Sequence, residues 1–148
     1  MHKWKKAWRL PWRQKMRLAE AWVLSGWYRF CVLQRSFGAI ARHIGKQGME
    51  TAVEPLEQVA IGQVAWAVTV CARHTWWQCN CFVQALTARK MLVRRKLPCT
   101  LYMGARRSEA GQAQAHAWLR CGTCFVTGGN GSREYAVTSC YGTMEKNA

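Results

Sequence analysis

As far as Pro98, apolar residues recur mostly at three- and four-residue steps; beyond it they tend to alternate. The first pattern belongs to helices with one inward stripe, the second to half-buried strands. Between Met16 and Ile44 the residues Phe30, Leu33, Phe37, Ile40 and Ile44 fall on such a stripe. This predicts a helix over 16–44, bent at Gly26 or Gly38, ended by Gly45 and Gly48, with its 30–44 stripe packed inward. A second helix is predicted over 55–74, with Pro55 in its first turn and Glu54 and Glu57 at its positive end. Its expected inner face is Leu56, Val59, Ala60, Ala67, Val70 and Cys71. A third is predicted from Cys81, with Phe82, Ala85, Leu86, Leu92 and Val93 on the apolar side. A basic cluster over Arg89–Lys96 lies outside, and Pro98 stops it.

After Pro98 the period changes to two. Strands are predicted over 99–104, 115–120 and 124–127, with a fourth over 135–137. Arg106 to Gln114 reads as a loop, Gly122 as a tight turn, and Gly128-Gly129-Asn130-Gly131 as a flexible turn. Helices first and antiparallel strands later give an α+β fold. Residues 1–48 read as a basic, Trp-rich helical region and 49–148 as the core that carries the chemistry.

Charge changes the picture in two ways. The 148 residues include 22 Lys and Arg against seven acids, a net charge of +15. All seven acids are Glu, so no mechanism can use an Asp of this chain. The excess positive charge gathers in residues 1–17, with Trp4, Trp8 and Trp12 among it, and again in 89–96. Such a segment can lie peripherally on an anionic membrane or grip an acidic peptide. Nothing resembles a nucleic-acid module, so no nucleic-acid partner is expected. Eight cysteines without a secretory signal point to free thiols and a cytoplasmic protein, and no apolar run is long enough to span a bilayer.

Two cysteines and a histidine carry the candidate chemistry. Cys81 opens the third helix, where the helix dipole favours thiolate, the nucleophilic form. His116 stands 35 residues later in the strand Ala115-His116-Ala117-Trp118-Leu119, where it can take and return a proton. Cys79 is the rival thiol. A third group should hold the imidazole by accepting its other N–H. The hairpin at Gly122 brings Thr127 or Gly128 opposite His116, with no carboxylate there. Asn130 and Glu134 are the nearest orienting side chains, and Thr127 or a backbone carbonyl is the other choice. Backbone N–H groups at the Cys81 helix start, with Gln78, are candidates for the oxyanion. Trp118 and Tyr102 are expected to line a substrate groove. A zinc reading of Cys71, His74, Cys79 and Cys81, or of Cys79 and Cys81 with Cys121 and Cys124, suffers from its Cys-x-Cys spacing. No metal and no cofactor are expected.

Taken together, the run from Cys81 to Pro98, the Thr100-Leu101-Tyr102-Met103-Gly104 strand, Ala115-His116-Ala117-Trp118-Leu119 and Val126-Thr127-Gly128-Gly129 resemble a known family. It is that of the transglutaminase-like cysteine peptidases of lasso-peptide biosynthesis, in their stand-alone form, over roughly residues 16–140. The resemblance implies a papain-like core with a Cys–His–Asp triad. It implies that Cys81 attacks the bond joining leader to core in a ribosomally made precursor, typically after a Thr. It also implies two protein partners, a leader-binding recognition protein and an ATP-dependent cyclase. The chain departs from the family in having no Asp to complete the triad. Two other classes compete: a non-catalytic basic scaffold that binds peptide or membrane, and an acyl transferase that delivers to an amine instead of water.

Overall fold

Pro11 is the N-cap residue of α1 (Trp12–Gln34), where its missing N–H costs the helix no hydrogen bond. The computed structural model describes residues 8–143. At Arg35 the backbone turns extended, and Ser36 starts a new helix, α2 (Phe37–Ile44), by accepting a hydrogen bond from the Ala39 amide. The single helix predicted over 16–44 is therefore two, divided by a serine cap. The division also breaks the predicted stripe. Ile40 and Ile44 turn into the core, whereas Phe30, Leu33 and Phe37 stay largely exposed.

Helix α3 (Gln58–His74) begins three residues after Pro55, with Glu57 as its N-cap residue. Its buried stripe is Ile61, Val64, Ala67, Val68 and Cys71. Val59, expected inside, is exposed because it lies in the first turn, beyond the edge of the packed layer. Helix α4 (Cys81–Arg94) starts at Cys81 as predicted and buries Ala85, Leu86 and Leu92, while Val93, expected on the apolar side, is exposed. Asn80 caps it, its Oδ1 accepting from the Val83 amide at 3.0 Å.

Five antiparallel strands complete the α+β fold, in the order β1-β5-β2-β3-β4. They are β1 (Lys46–Gln47), β2 (Thr100–Arg107), β3 (Ala113–Cys121), β4 (Cys124–Thr127) and β5 (Ala136–Gly142). β2 and β3 pair continuously from Thr100↔Arg120 to Arg107↔Ala113, so most of the predicted 106–114 loop is strand. Polar exposed side chains hid these ends, since an edge of a hairpin needs no apolar face. β1 is too short to show in the sequence and exists because it pairs with β5.

Strand alternation divides the sheet into two unlike faces. Leu101, Ala117, Leu119, Cys121 and Tyr141 meet the helices, joining Leu86, Met91 and Leu92 of α4 and Ile61, Val64 and Val68 of α3 in one core. Each fully buried leucine there contributes about 1.5–3 kcal/mol. The other face carries Thr100, Tyr102, His116, Trp118 and Arg120. The segment between β1 and α3 runs against the lower part of this second face. Thr51 bonds Thr100, and Arg120 reaches the carbonyls of Thr51 and Ala52. Glu20 ties α1 to the end of α4 through Arg95, with N–O distances of 2.8 and 3.2 Å. Among the described residues no helix is long and apolar enough to cross a membrane.

Candidate active site

Cys81 is the first residue of α4, half-buried at the margin of the helical core. Asn80, which sequence reasoning passed over, fixes the helix start. Its signal was there: an Asn immediately before the first apolar-periodic residue. Gln84 adds a second tie, its Nε2 donating to the Cys79 carbonyl at 2.8 Å. The backbone just before Cys81 is thus held from two sides. Gln78, the oxyanion candidate, is exposed and accepts from Arg29 Nη2 at 3.4 Å.

The neighbouring thiol is a poor nucleophile. Burial, with the nearby Cys71 sulfur adding to it, pushes the Cys79 thiol up to about 11. At neutral pH it is protonated, and the thiol is the weak form. Burial likewise pushes Cys121 up to about 11 and Cys99 up to about 12. Cys121 Sγ lies 3.2 Å from the Pro98 carbonyl, pinning the end of β3 to the connection between α4 and β2. Among the described residues no group of His, Cys, Asp or Glu could hold a metal ion, so the zinc sets considered above do not assemble.

His116 sits in a ladder of flat groups on the second face of the sheet. Its ring lies 5.0 Å from that of Tyr135 and 5.7 Å from that of Trp118. Trp118 stacks in turn on Tyr102, at 5.7 Å and 13° between planes. Arg106 caps one end over Tyr135, 4.7 Å from the ring centre, and Arg120 sits near the Tyr102 ring at the other. Gly104, directly opposite His116 in β2, makes room for the ladder, since a Cβ there would stand 2.8 Å from the Trp118 indole. Tyr102 and Trp118, expected to line an open groove, are 9% and 5% exposed and form the floor beside His116.

The imidazole is oriented by backbone. His116 Nε2 lies 2.7 Å from the Gly128 carbonyl oxygen. A carbonyl can only accept, so Nε2 carries the proton and a neutral ring keeps its lone pair on Nδ1. Neither named side chain does this work. Glu134 is exposed and pairs with Arg106, steadying the cation over Tyr135. Asn130 is exposed in the turn and makes no hydrogen bond to the ring. The buried Thr127 hydroxyl has no partner among the described residues.

Gly128 holds this position because its φ is +66°, where a side chain is disfavoured. A methyl there would stand 3.1 Å from His116 Nε2 and 2.5 Å from the Ala117 carbonyl oxygen. Gly128→Ala is therefore expected to destabilise the turn by about 1–3 kcal/mol and to turn the imidazole out of its alignment. Thermal melts, with the His116 ring NMR signals as the second readout, check both effects.

The match to a family model settles the lineage: that of the transglutaminase-like superfamily covers residues 24–140. The chain belongs to this superfamily. No curated protein and no solved structure matches it. The superfamily includes cysteine peptidases and acyltransferases, which share a thiol attack on a carbonyl carbon. In this transglutaminase-like chain Cys81 and His116 stand on different elements, and no hydrogen bond joins Sγ to the ring. α4 covers the face of Ala117 and Leu119, while His116 points to the other. α4 and β3 pack together, and Cys121 at the end of β3 is bonded to the connection between α4 and β2.

Proposed function

We propose that the protein is a cysteine peptidase that removes the leader from a ribosomally made lasso-peptide precursor. Membership of the transglutaminase-like superfamily carries the reading, with Cys81 as the first residue of an Asn80-capped helix. Cys81 Sγ attacks the carbonyl carbon of the leader–core bond. His116 takes the thiol proton at Nδ1 and gives it to the departing amine, and water then hydrolyses the thioester. Free amides of the first α4 turn, with Gln78, hold the oxyanion. Gly128 supplies through its carbonyl the orientation that an Asp would give, an arrangement suited to a chain with no Asp. The protein works beside a leader-binding protein and an ATP-dependent cyclase, which receives the freed core.

The chemistry asks for one movement. Cys81 Sγ and His116 Nδ1 must come within hydrogen-bonding reach while Nε2 keeps its bond to the Gly128 carbonyl. The net charge of +15 favours the second reading, a basic scaffold without catalysis. Alkylation separates the two. With limiting iodoacetamide at neutral pH, Cys81 is expected to be modified first and to be protected by precursor, while Cys79 stays unmodified. In His116→Ala the rate at Cys81 should fall and its pH profile should move. An unchanged profile would mean that thiol and imidazole never meet, and the peptidase reading would fail. Product mass decides between water and an amine as the acceptor.

A further inference from the structure

α1 is apolar on two opposite sides. Ala21, Ser25 and Cys31 face inward. On the outer side Trp12, Met16, Val23, Phe30 and Leu33, with Ala19 and Gly26 between them, follow one another at alternating four- and three-residue steps. The five large side chains are between 52% and 73% exposed. A helix apolar on all sides is normally covered, and a spacing averaging 3.5 residues is the seam of a helix that packs against another helix. No described element of this chain covers the seam.

The seam also has a hole and a rim. Around Gly26 lies a groove of about 510 Å³, walled by Trp22, Val23, Trp27, Phe30 and Trp77. The Trp77 indole N–H is buried and has no hydrogen-bond partner among the described residues. Next along the seam a second groove is bordered by Arg13 and Arg17 of α1 and by Arg94 and Arg95 beside it. The one acid there, Glu20, is already paired with Arg94 and Arg95, at 3.5 and 2.8 Å. The rim is therefore positive.

We propose that this face of α1 docks an acidic amphipathic helix of a partner protein. The partner sets a large apolar side chain into the Gly26 groove and its carboxylates against Arg13, Arg17 and Arg94. Charge argues against a second copy of this chain, which would bring the same cations to the same rim. The 3.5-residue spacing and the hole at a glycine argue against a lipid surface, which needs only an apolar band. The docking face is independent of the chemistry at Cys81.

A designed peptide of about three heptads, Leu at its two apolar positions and Glu at the flanking ones, serves as the probe. Tryptophan fluorescence of the full chain should saturate with it and shift to the blue, and added salt should weaken the binding. A twin peptide with Lys at the flanks should bind at least about tenfold more weakly. Gly26→Leu, which fills the groove, and the double variant Arg13→Glu/Arg17→Glu should each lower affinity about tenfold or more, with unchanged thermal melts. Arg107→Glu, on β2 away from the rim, should leave binding intact. Equal binding of the two peptides, or binding of neither, would overturn the proposal. So would binding only to phosphatidylglycerol–phosphatidylcholine vesicles, or self-association that Gly26→Leu abolishes in analytical ultracentrifugation.

Discussion

Replacing Cys81 with Ala is expected to lower cleavage of a leader–core precursor on the order of 10⁴-fold, while the fold and precursor binding persist. The size of the effect follows from the role: without a sulfur no thioester forms, and the remaining groups only bind and polarise. Persistence of the fold follows from the position. Cys81 is only half-buried, the cap is made by Asn80, and Ala suits a first helical turn. Cys79→Ala should retain most activity, because its thiol, pushed up to about 11, is not ionised at neutral pH. Mass spectrometry of the precursor, read beside circular dichroism of each variant, checks both. Cleavage at the same bond by Cys81→Ala would sink the nucleophile assignment.

Arg120→Ala is expected to produce the largest loss of stability, about 3–5 kcal/mol, seen as a fall in Tm of roughly 10 °C or more. Arg120 is 7% exposed and pairs with no carboxylate among the described residues. Its guanidinium instead donates to the carbonyls of Gly122 at 2.7 Å and Thr51 at 2.8 Å, and to the Tyr102 hydroxyl at 3.2 Å. One side chain thus fastens the β3–β4 turn, the segment before α3 and the foot of the aromatic ladder. Truncation leaves those acceptors without partners, and each buried unsatisfied group costs about 1–3 kcal/mol. Arg120→Lys should fall between, since a single ammonium cannot span the same fork. If calorimetry finds Arg120→Ala within 1 kcal/mol of the wild type, roughly the scale of one ordinary hydrogen bond, water has replaced the network and this account of the second face is wrong.

Residues whose partners are close in sequence were legible without coordinates. α4 begins and ends where its periodicity and Pro98 place it, because capping and helical spacing act within one turn. The hairpin at Gly122 was equally plain, being a local turn between two alternating runs. The break at Ser36 was missed because apolar residues continue in step on both sides of it, and only the cap reveals the interruption. Asn130 and Glu134 were named as orienting groups from proximity along the chain. Which atom meets a ring depends on where the turn folds back, and the Gly128 carbonyl lies nearer.

By itself the sequence determined that helices precede the main strands, the α+β class, the thiol that opens α4 and the absence of any Asp. These rest on composition and on patterns a few residues long. Only the tertiary structure decided which face of β3 meets the helices, what holds the imidazole, and that no described element covers the outer seam of α1. The reason is parity: with side chains alternating along a strand, a shift of one residue sends His116 to the opposite face, and packing of the whole core, not any local signal, fixes that choice.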